Sequence, residues 1–105
     1  MVGRIWHGYT THENADIYQK ILTTEVIPGI ADMKIAGYKS IQVFRRTLES
    51  ETEFITIMWF ESLECIKAFT GEDYETAHVP PQAQAVLKRF DRRSQHYDII
   101  EKIEY

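Results

Sequence analysis

Histidine is the side chain best suited to moving protons at neutral pH, and the sequence of 105 residues contains four of them. His78 stands in the stretch EDYETAHVPP (72–81), directly before two prolines. It is either a base or an axial ligand at the rim of a pocket, or a histidine in the last turn of a helix. The second interpretation follows because Val79 precedes a proline and is pushed away from helical dihedral angles.

The other histidines have less specific surroundings. His7 shares its strand parity with Ile5, so it could project into a cavity between a sheet and its helices, where burial lowers the pKa of a base. The alternative for His7 is a hydrogen-bonded core residue. We expect His96 to make cross-strand hydrogen bonds and His12 to be exposed. No two histidines have the spacing of a zinc helix and there is one cysteine, so no metal site is predicted.

Aromatic side chains could form the walls of a flat pocket around such a base. The alternative is that these side chains simply fill the core. If they line a pocket, the expected ligand is a small, planar aromatic molecule. The candidates for substrate binding are Trp59, Trp6, Tyr38 and Phe69.

Composition restricts the class of protein. A net charge of −4 argues against a nucleic-acid partner, whose phosphates require a basic surface. The longest apolar run, Ile55 to Phe60, is far below the ~20 residues of a membrane-spanning helix. The single cysteine, Cys65, excludes an internal disulfide and fits a reducing compartment. We therefore expect a cytoplasmic protein with no nucleic-acid and no membrane partner.

The first half of the chain predicts a strand, a helix and a hairpin. VGRIWHGY (2–9) has the β-branched and aromatic content of a strand. A helix follows from about residue 11, because Thr10 and Glu13 have capping-box spacing, and Pro28 with Gly29 ends or breaks it. GYKSIQVFRRTLE (37–49) and ETEFITIMWF (51–60) predict two strands of a hairpin, joined by a short polar connection.

The second half predicts helical segments and a final strand. Ser62 caps a helix that Gly71 ends, residues 72–78 form a helical turn, and Pro81 starts a helix that includes Phe90. SQHYDIIEKIEY (94–105) is the last strand. The order β-α-β-β-α-β predicts an α+β, ferredoxin-like fold in one domain, residues 1–105. Such a fold has a four-stranded antiparallel sheet with helices on one face.

The hairpin strands carry apolar side chains on both faces. Ile55, Ile57 and Trp59 alternate with Phe54 and Met58, which are also apolar. The helices cover one face only, and an exposed apolar patch of this size is unfavourable for a monomer. We therefore expect a homodimer that forms through the sheet faces.

Three stretches complete a recognisable pattern: RIWHGYT (4–10), IMWFESLECIKAFTGEDYETA (57–77) and QHYDII (95–100). Over nearly its whole length the chain resembles the antibiotic biosynthesis monooxygenase-like family. The resemblance implies a dimer whose two sheets form a joint α/β barrel. Members of the family include oxygenases that act on aromatic quinols without a cofactor, haem-degrading oxygenases, and proteins with no established reaction.

The resemblance also bears on individual residues. When the strand-three tryptophan of the haem-degrading members is laid on Trp59, their haem-ligand histidine falls on His78. Their catalytic tryptophan falls on Ala68 and their strand-one asparagine falls near Trp6 or His7, so those two residues are not matched.

The resemblance and the histidines together predict a cofactor-independent monooxygenase, or a related enzyme, for an aromatic, quinol-like compound. His78 or His7 would be its base, and the four aromatic residues named above would be its walls. The alternatives are a non-catalytic dimeric module that binds a ligand or a partner, and a haem protein that uses His78.

Overall fold

The computed structural model describes all residues, 1–105, and centres on an antiparallel sheet. The strand order is β2-β3-β1-β4, and β5 also pairs with β1. The strands are β1 (Val2–Thr10), β2 (Tyr38–Thr47), β3 (Thr52–Phe60), β4 (Arg89–Phe90) and β5 (Gln95–Asp98). The order is that of a ferredoxin-like fold, and the predicted α+β fold class and the hairpin are confirmed.

Helices cover one face of the sheet. They are α1 (Ala15–Ile21), a π-helical turn (Leu22–Val26), α2 (Ile27–Asp32), α3 (Leu63–Thr70) and α4 (Pro81–Gln84). Even-numbered residues of β1 and β3 face these helices and bury the core side chains Phe54 and Phe60. We call this the inner face of the sheet, and the opposite side the outer face. None of the helices has the length and continuous apolar sequence required to cross a bilayer.

The first helical segment begins later than predicted and changes register before its proline. Thr10 lies in β1, and its buried Oγ1 has no hydrogen-bond partner, so the predicted capping box is wrong. The N–H of Ile27 donates to the carbonyl of Leu22, five residues earlier, directly before Pro28. This π-turn shifts the hydrogen-bond register directly before Pro28, which has no N–H to donate. The chain therefore continues as a helix instead of ending there.

The second half follows the prediction at α3 and departs from it afterwards. The Ser62 side chain caps α3 by accepting from the N–H of Cys65 at 3.4 Å, and Gly71 ends the helix with a φ of 92°. The predicted turn at 72–78 is not helical, α4 stops at Gln84, and Phe90 lies in β4. The last strand ends at Asp98 instead of residue 105. Pairing with β1 at two separate places divides the expected fourth strand.

We expect opposite effects from alanine at two glycines. At Gly37, where φ is 83°, a Cβ would lie 2.3 Å from Cys65 Sγ, and both strain and overlap destabilise the fold by about 1–3 kcal/mol. At Gly29, inside α2, a Cβ meets nothing within 4 Å, so Gly29→Ala stabilises by about 0.5–1 kcal/mol. Urea unfolding of the two variants measures both changes, and equal effects would contradict this placement of Gly37.

Candidate functional site

A narrow cavity of about 40 Å³ lies between the helices and the inner face of the sheet. Hydrophobic residues make up 11 of the 15 that line it, so the site favours an apolar ligand. The sheet contributes the floor through Trp6, Ile41, Thr56 and Met58, and α1, the π-turn and α2 contribute the roof. The remaining wall is formed by Phe69, Ala83 and Ser94 together with residues 78–80 of the connection from α3 to α4, which spans residues 71–80.

His78 is part of that wall. Its ring lies 5.3 Å from the ring of Phe69, which also lines the cavity. Burial, and secondarily the positive charge of Arg4, lower the pKa of His78 from its ordinary value of 6.5. The imidazole is therefore neutral at neutral pH, the state that a general base or a metal ligand requires.

Arg4 of β1 positions the segment that carries His78. One guanidinium nitrogen, Nη1, donates to the carbonyl of Tyr74 at 2.6 Å, and the other, Nη2, donates to the carbonyl of Thr76 at 2.8 Å. A bridge between Thr76 and Arg93 holds the same segment from the other side. These tertiary hydrogen bonds explain why residues 72–78 form a bend, a turn and a bridge instead of a helical turn. The interpretation of His78 as the last turn of a helix is therefore wrong.

Three of the predicted site residues meet at the cavity: His78, Trp6 and Phe69. Tyr38 instead stacks on Phe60, with ring centroids 5.2 Å apart, and does not line it. Trp59 lies on the outer face, where its indole N–H donates to Gln42 Oε1 at 3.1 Å. The pattern of aromatic residues could not separate these positions, because both faces of the sheet are apolar.

His7 also lies away from the cavity, so its predicted projection between sheet and helices is wrong. It pairs with Ile55 across the strands, and alternation along β1 turns it outward while its neighbour Trp6 points inward. On the outer face His7 Nδ1 lies 2.7 Å from Asp91 Oδ2. No local pattern indicates this pair, because the two residues are far apart along the chain.

Sequence reasoning missed Arg4 as a site residue. Only 3% of its surface is exposed, although an arginine is seldom buried without a partner. Its parity with Trp6 in the first strand was the available signal, since it places a charged side chain on the face that the helices cover. His96 is its partner across the strands, and Arg4 Nη1 lies 2.9 Å from His96 Nε2.

Comparison with solved structures identifies the fold. A Bacillus cereus protein provisionally assigned as an antibiotic biosynthesis monooxygenase superposes with a TM-score of 0.68 at 15% identity, covering 99% of this chain and 97% of the other. Mycobacterium tuberculosis MhuD, a haem degrader with two haems in its active site, gives 0.62 at 15% identity, covering 99% and 100%. A MhuD point mutant with two manganese protoporphyrins per active site gives 0.69 at 16% identity, with both chains fully covered.

The chain therefore has the fold of antibiotic biosynthesis monooxygenase-like and haem-degrading proteins, as the resemblance predicted. No family model matches the sequence. No curated protein matches it either. Function must consequently be inferred from the site, because one fold supports many reactions.

Two observations test whether this site fits a haem. His78 is a suitable axial ligand, being neutral and placed on the cavity wall. The space does not fit, because pockets for ligands of drug size typically hold roughly 300–1,000 Å³ and this cavity holds about 40 Å³. A macrocycle would require the helical layer to separate from the sheet. No cluster of three or more His, Cys, Asp or Glu side chains suited to a metal ion is present.

We expect the fold to lose stability as the pH falls below neutrality. Burial, followed by the charge of Arg4, lowers the pKa of both His78 and His96, so the unfolded chain binds protons at a higher pH than the folded chain does. Their contribution is complete above pH 6.5 and declines as the pH falls towards the folded pKa values. Urea unfolding between about pH 7.5 and 5 measures this decline.

Substitution identifies the groups responsible. His78→Gln and His96→Gln should each flatten the decline, and His12→Gln on the exposed surface is the matched control. Neighbouring cations lower the pKa values of three carboxyl groups below 4.5, so the stability that these groups provide is lost only at a lower pH. These groups are Glu51, Glu53 and Glu61. A decline that survives both substitutions would show that other groups cause it.

Proposed function

We propose that the protein is a cofactor-independent monooxygenase, or a closely related enzyme, that acts on a small aromatic, quinol-like compound. The observation that carries the proposal is a histidine held neutral by burial on the wall of an apolar cavity. His78 is the base in this proposal, and Trp6 and Phe69 are aromatic walls. The hydroxyls of Tyr18, Thr56 and Ser94 are the other polar groups of the lining.

The proposed reaction needs no cofactor because the substrate supplies the electrons. His78 removes a proton from a phenolic or activated C–H group, and the resulting anion reduces dioxygen. One oxygen atom becomes a carbonyl oxygen on the ring carbon that is oxidised. The other leaves as water with the two hydrogens that the substrate loses. The protein contributes a neutral base and an apolar environment to this reaction.

Entry of the substrate requires the cavity to widen. A volume of about 40 Å³ holds little more than ordered water, so a single aromatic ring fits only when lining side chains move apart. The connection that carries the lining residues 78–80 (residues 71–80) is the part best able to move, because it contains no helix or strand. It is attached by the two bonds from Arg4, by the bridge from Thr76 to Arg93, and by the ion pairs of Arg93 with two carboxylates of the segment.

Oxygen consumption with a panel of hydroquinones tests the proposal. We expect turnover by the unaltered protein and a loss of roughly 10²–10⁴-fold in His78→Ala, the usual contribution of a general base. His12→Ala is the control, because His12 is exposed and does not line the cavity. An unchanged rate in His78→Ala would remove this residue from the mechanism. Saturable ligand binding without turnover would instead support a non-catalytic binding module.

Haem binding through His78 is the second candidate, favoured by its neutral imidazole. From the narrow cavity we expect haem titration to give no saturable change in the Soret band. A saturable change that His78→Ala abolishes would overturn this expectation and favour the haem protein over the oxygenase.

We also propose that the protein is cytoplasmic, where the free thiol of Cys65 stays reduced. Two copies associate through the outer face of the sheet in this proposal. Apolar side chains form adjacent rows there: Ile5 pairs with Ile57, and Phe44 pairs with Ile55. Next to these rows, Arg46 bonds Glu53 at 2.6 Å. A face with an apolar centre and charges of both signs beside it can match a second copy of itself across a two-fold axis.

Light scattering should give a mass of twice 12.4 kDa. Ile57→Asp places an unpaired charge in the apolar rows and should yield the single-chain mass. Ile17→Asp is the matched control, since Ile17 is 50% exposed on α1, away from the outer face. A folded single chain at micromolar concentration in the unaltered protein would contradict the association.

A further inference from the structure

Arg4 is a buried positive charge without a negative partner. Burial lowers the pKa of Arg4 only to about 10, so the guanidinium is charged at neutral pH. None of the ten ion pairs of the chain includes it. Two carboxylates of the segment that it holds, Asp73 and Glu75, pair instead with Arg93, at 2.9 and 3.1 Å. A buried ion normally requires a counter-ion, because neutral carbonyls replace only part of its hydration.

The hydrogen bonds of Arg4 leave part of its donor capacity unused. A guanidinium has five N–H donors, and those of Arg4 meet the carbonyls of Tyr74 and Thr76 and the ring of His96. The Nε–H and one Nη2–H have no acceptor in the chain. Because Arg4 donates to Nε2 of His96, the proton of that ring is on Nδ1, and this buried atom has no partner either.

Arg4 is not itself part of the cavity lining, and its guanidinium lies behind the wall. Arg4 stands in one row across the inner face with Ile41 and Met58, which line the cavity floor. Its guanidinium lies 5.6 Å from the ring of Phe69, which contacts His78 in the cavity wall. A ligand that displaces this wall therefore reaches Arg4 next.

We propose that the aromatic ligand of the cavity is an anion whose carboxylate or ionised phenol oxygen pairs with Arg4. This inference rests on the proposed function in that it uses the same cavity and the same ring-shaped ligand, and it adds the charge of that ligand. A planar oxyanion matches a planar guanidinium, and a charged hydrogen bond in an apolar site is stronger than a neutral one. Arg4 then contributes ligand binding in addition to holding residues 71–80.

The test compares two probes with the same dihydroxylated ring and different charge: 2,5-dihydroxybenzoate and its methyl ester. Calorimetric titration of the unaltered protein should show the acid binding at least about tenfold more tightly than the ester, a difference typical of one charged hydrogen bond. Arg4→Met should abolish the preference for the acid, so the acid loses more affinity than the ester, whose binding changes only through the weaker hold on residues 71–80. Arg92→Met, which removes one exposed positive charge, should leave the preference intact.

The outcomes separate this inference from the proposed function. Equal affinities of acid and ester in the unaltered protein overturn the anion site, even where oxygen is consumed. Equal losses for both probes in Arg4→Met show a purely structural arginine and also overturn it. Arg4-dependent binding of the acid without oxygen consumption supports the anion site and contradicts the oxygenase. Binding of neither probe overturns both. If Arg4→Met does not fold, Arg4→Lys and the comparison of probes on the unaltered protein still decide.

Discussion

The hydrogen bonds from Arg4 to the carbonyls of Tyr74 and Thr76 are the interaction on which the site depends. They draw the connection between α3 and α4 across the sheet, and that connection brings His78 to the cavity. A charge from the first strand thereby organises residues about seventy positions later in the chain. The same charge also lowers the pKa of His78, so the group that positions His78 helps to keep it neutral.

The alternation of β1 separates two kinds of chemistry. Trp6 faces the helices and lines the apolar cavity, whereas His7 faces outward and binds Asp91. Adjacent residues of a strand point to opposite faces of the sheet, so they cannot both line a site that lies on one face. The inner face therefore carries the cavity, and the outer face carries the apolar rows of β1, β2 and β3.

The fold is shared with solved structures, but the size of the cavity depends on the side chains of each chain. Proteins at 15–16% identity align with the full chain, including one that holds two haems. The fold supplies a sheet, a helical layer and a space between them, but side chains determine the size and polarity of that space. Here Tyr18, Leu22 and Ile30 from the helices narrow the space to about 40 Å³ above Trp6. The width of the cavity is thus a property of these residues.

Local patterns in the sequence determined the first strand, the hairpin and the capped helix α3, because alternation, the Ser62 cap and Gly71 act within a few residues. They also indicated His78 as a candidate. Only the tertiary structure decided which histidine meets the cavity, since hydrogen bonds from Arg4 outweigh the helical tendency of residues 72–78. It likewise divided the last strand and paired His7 with Asp91. Such contacts join distant parts of the chain, and no local pattern contains them.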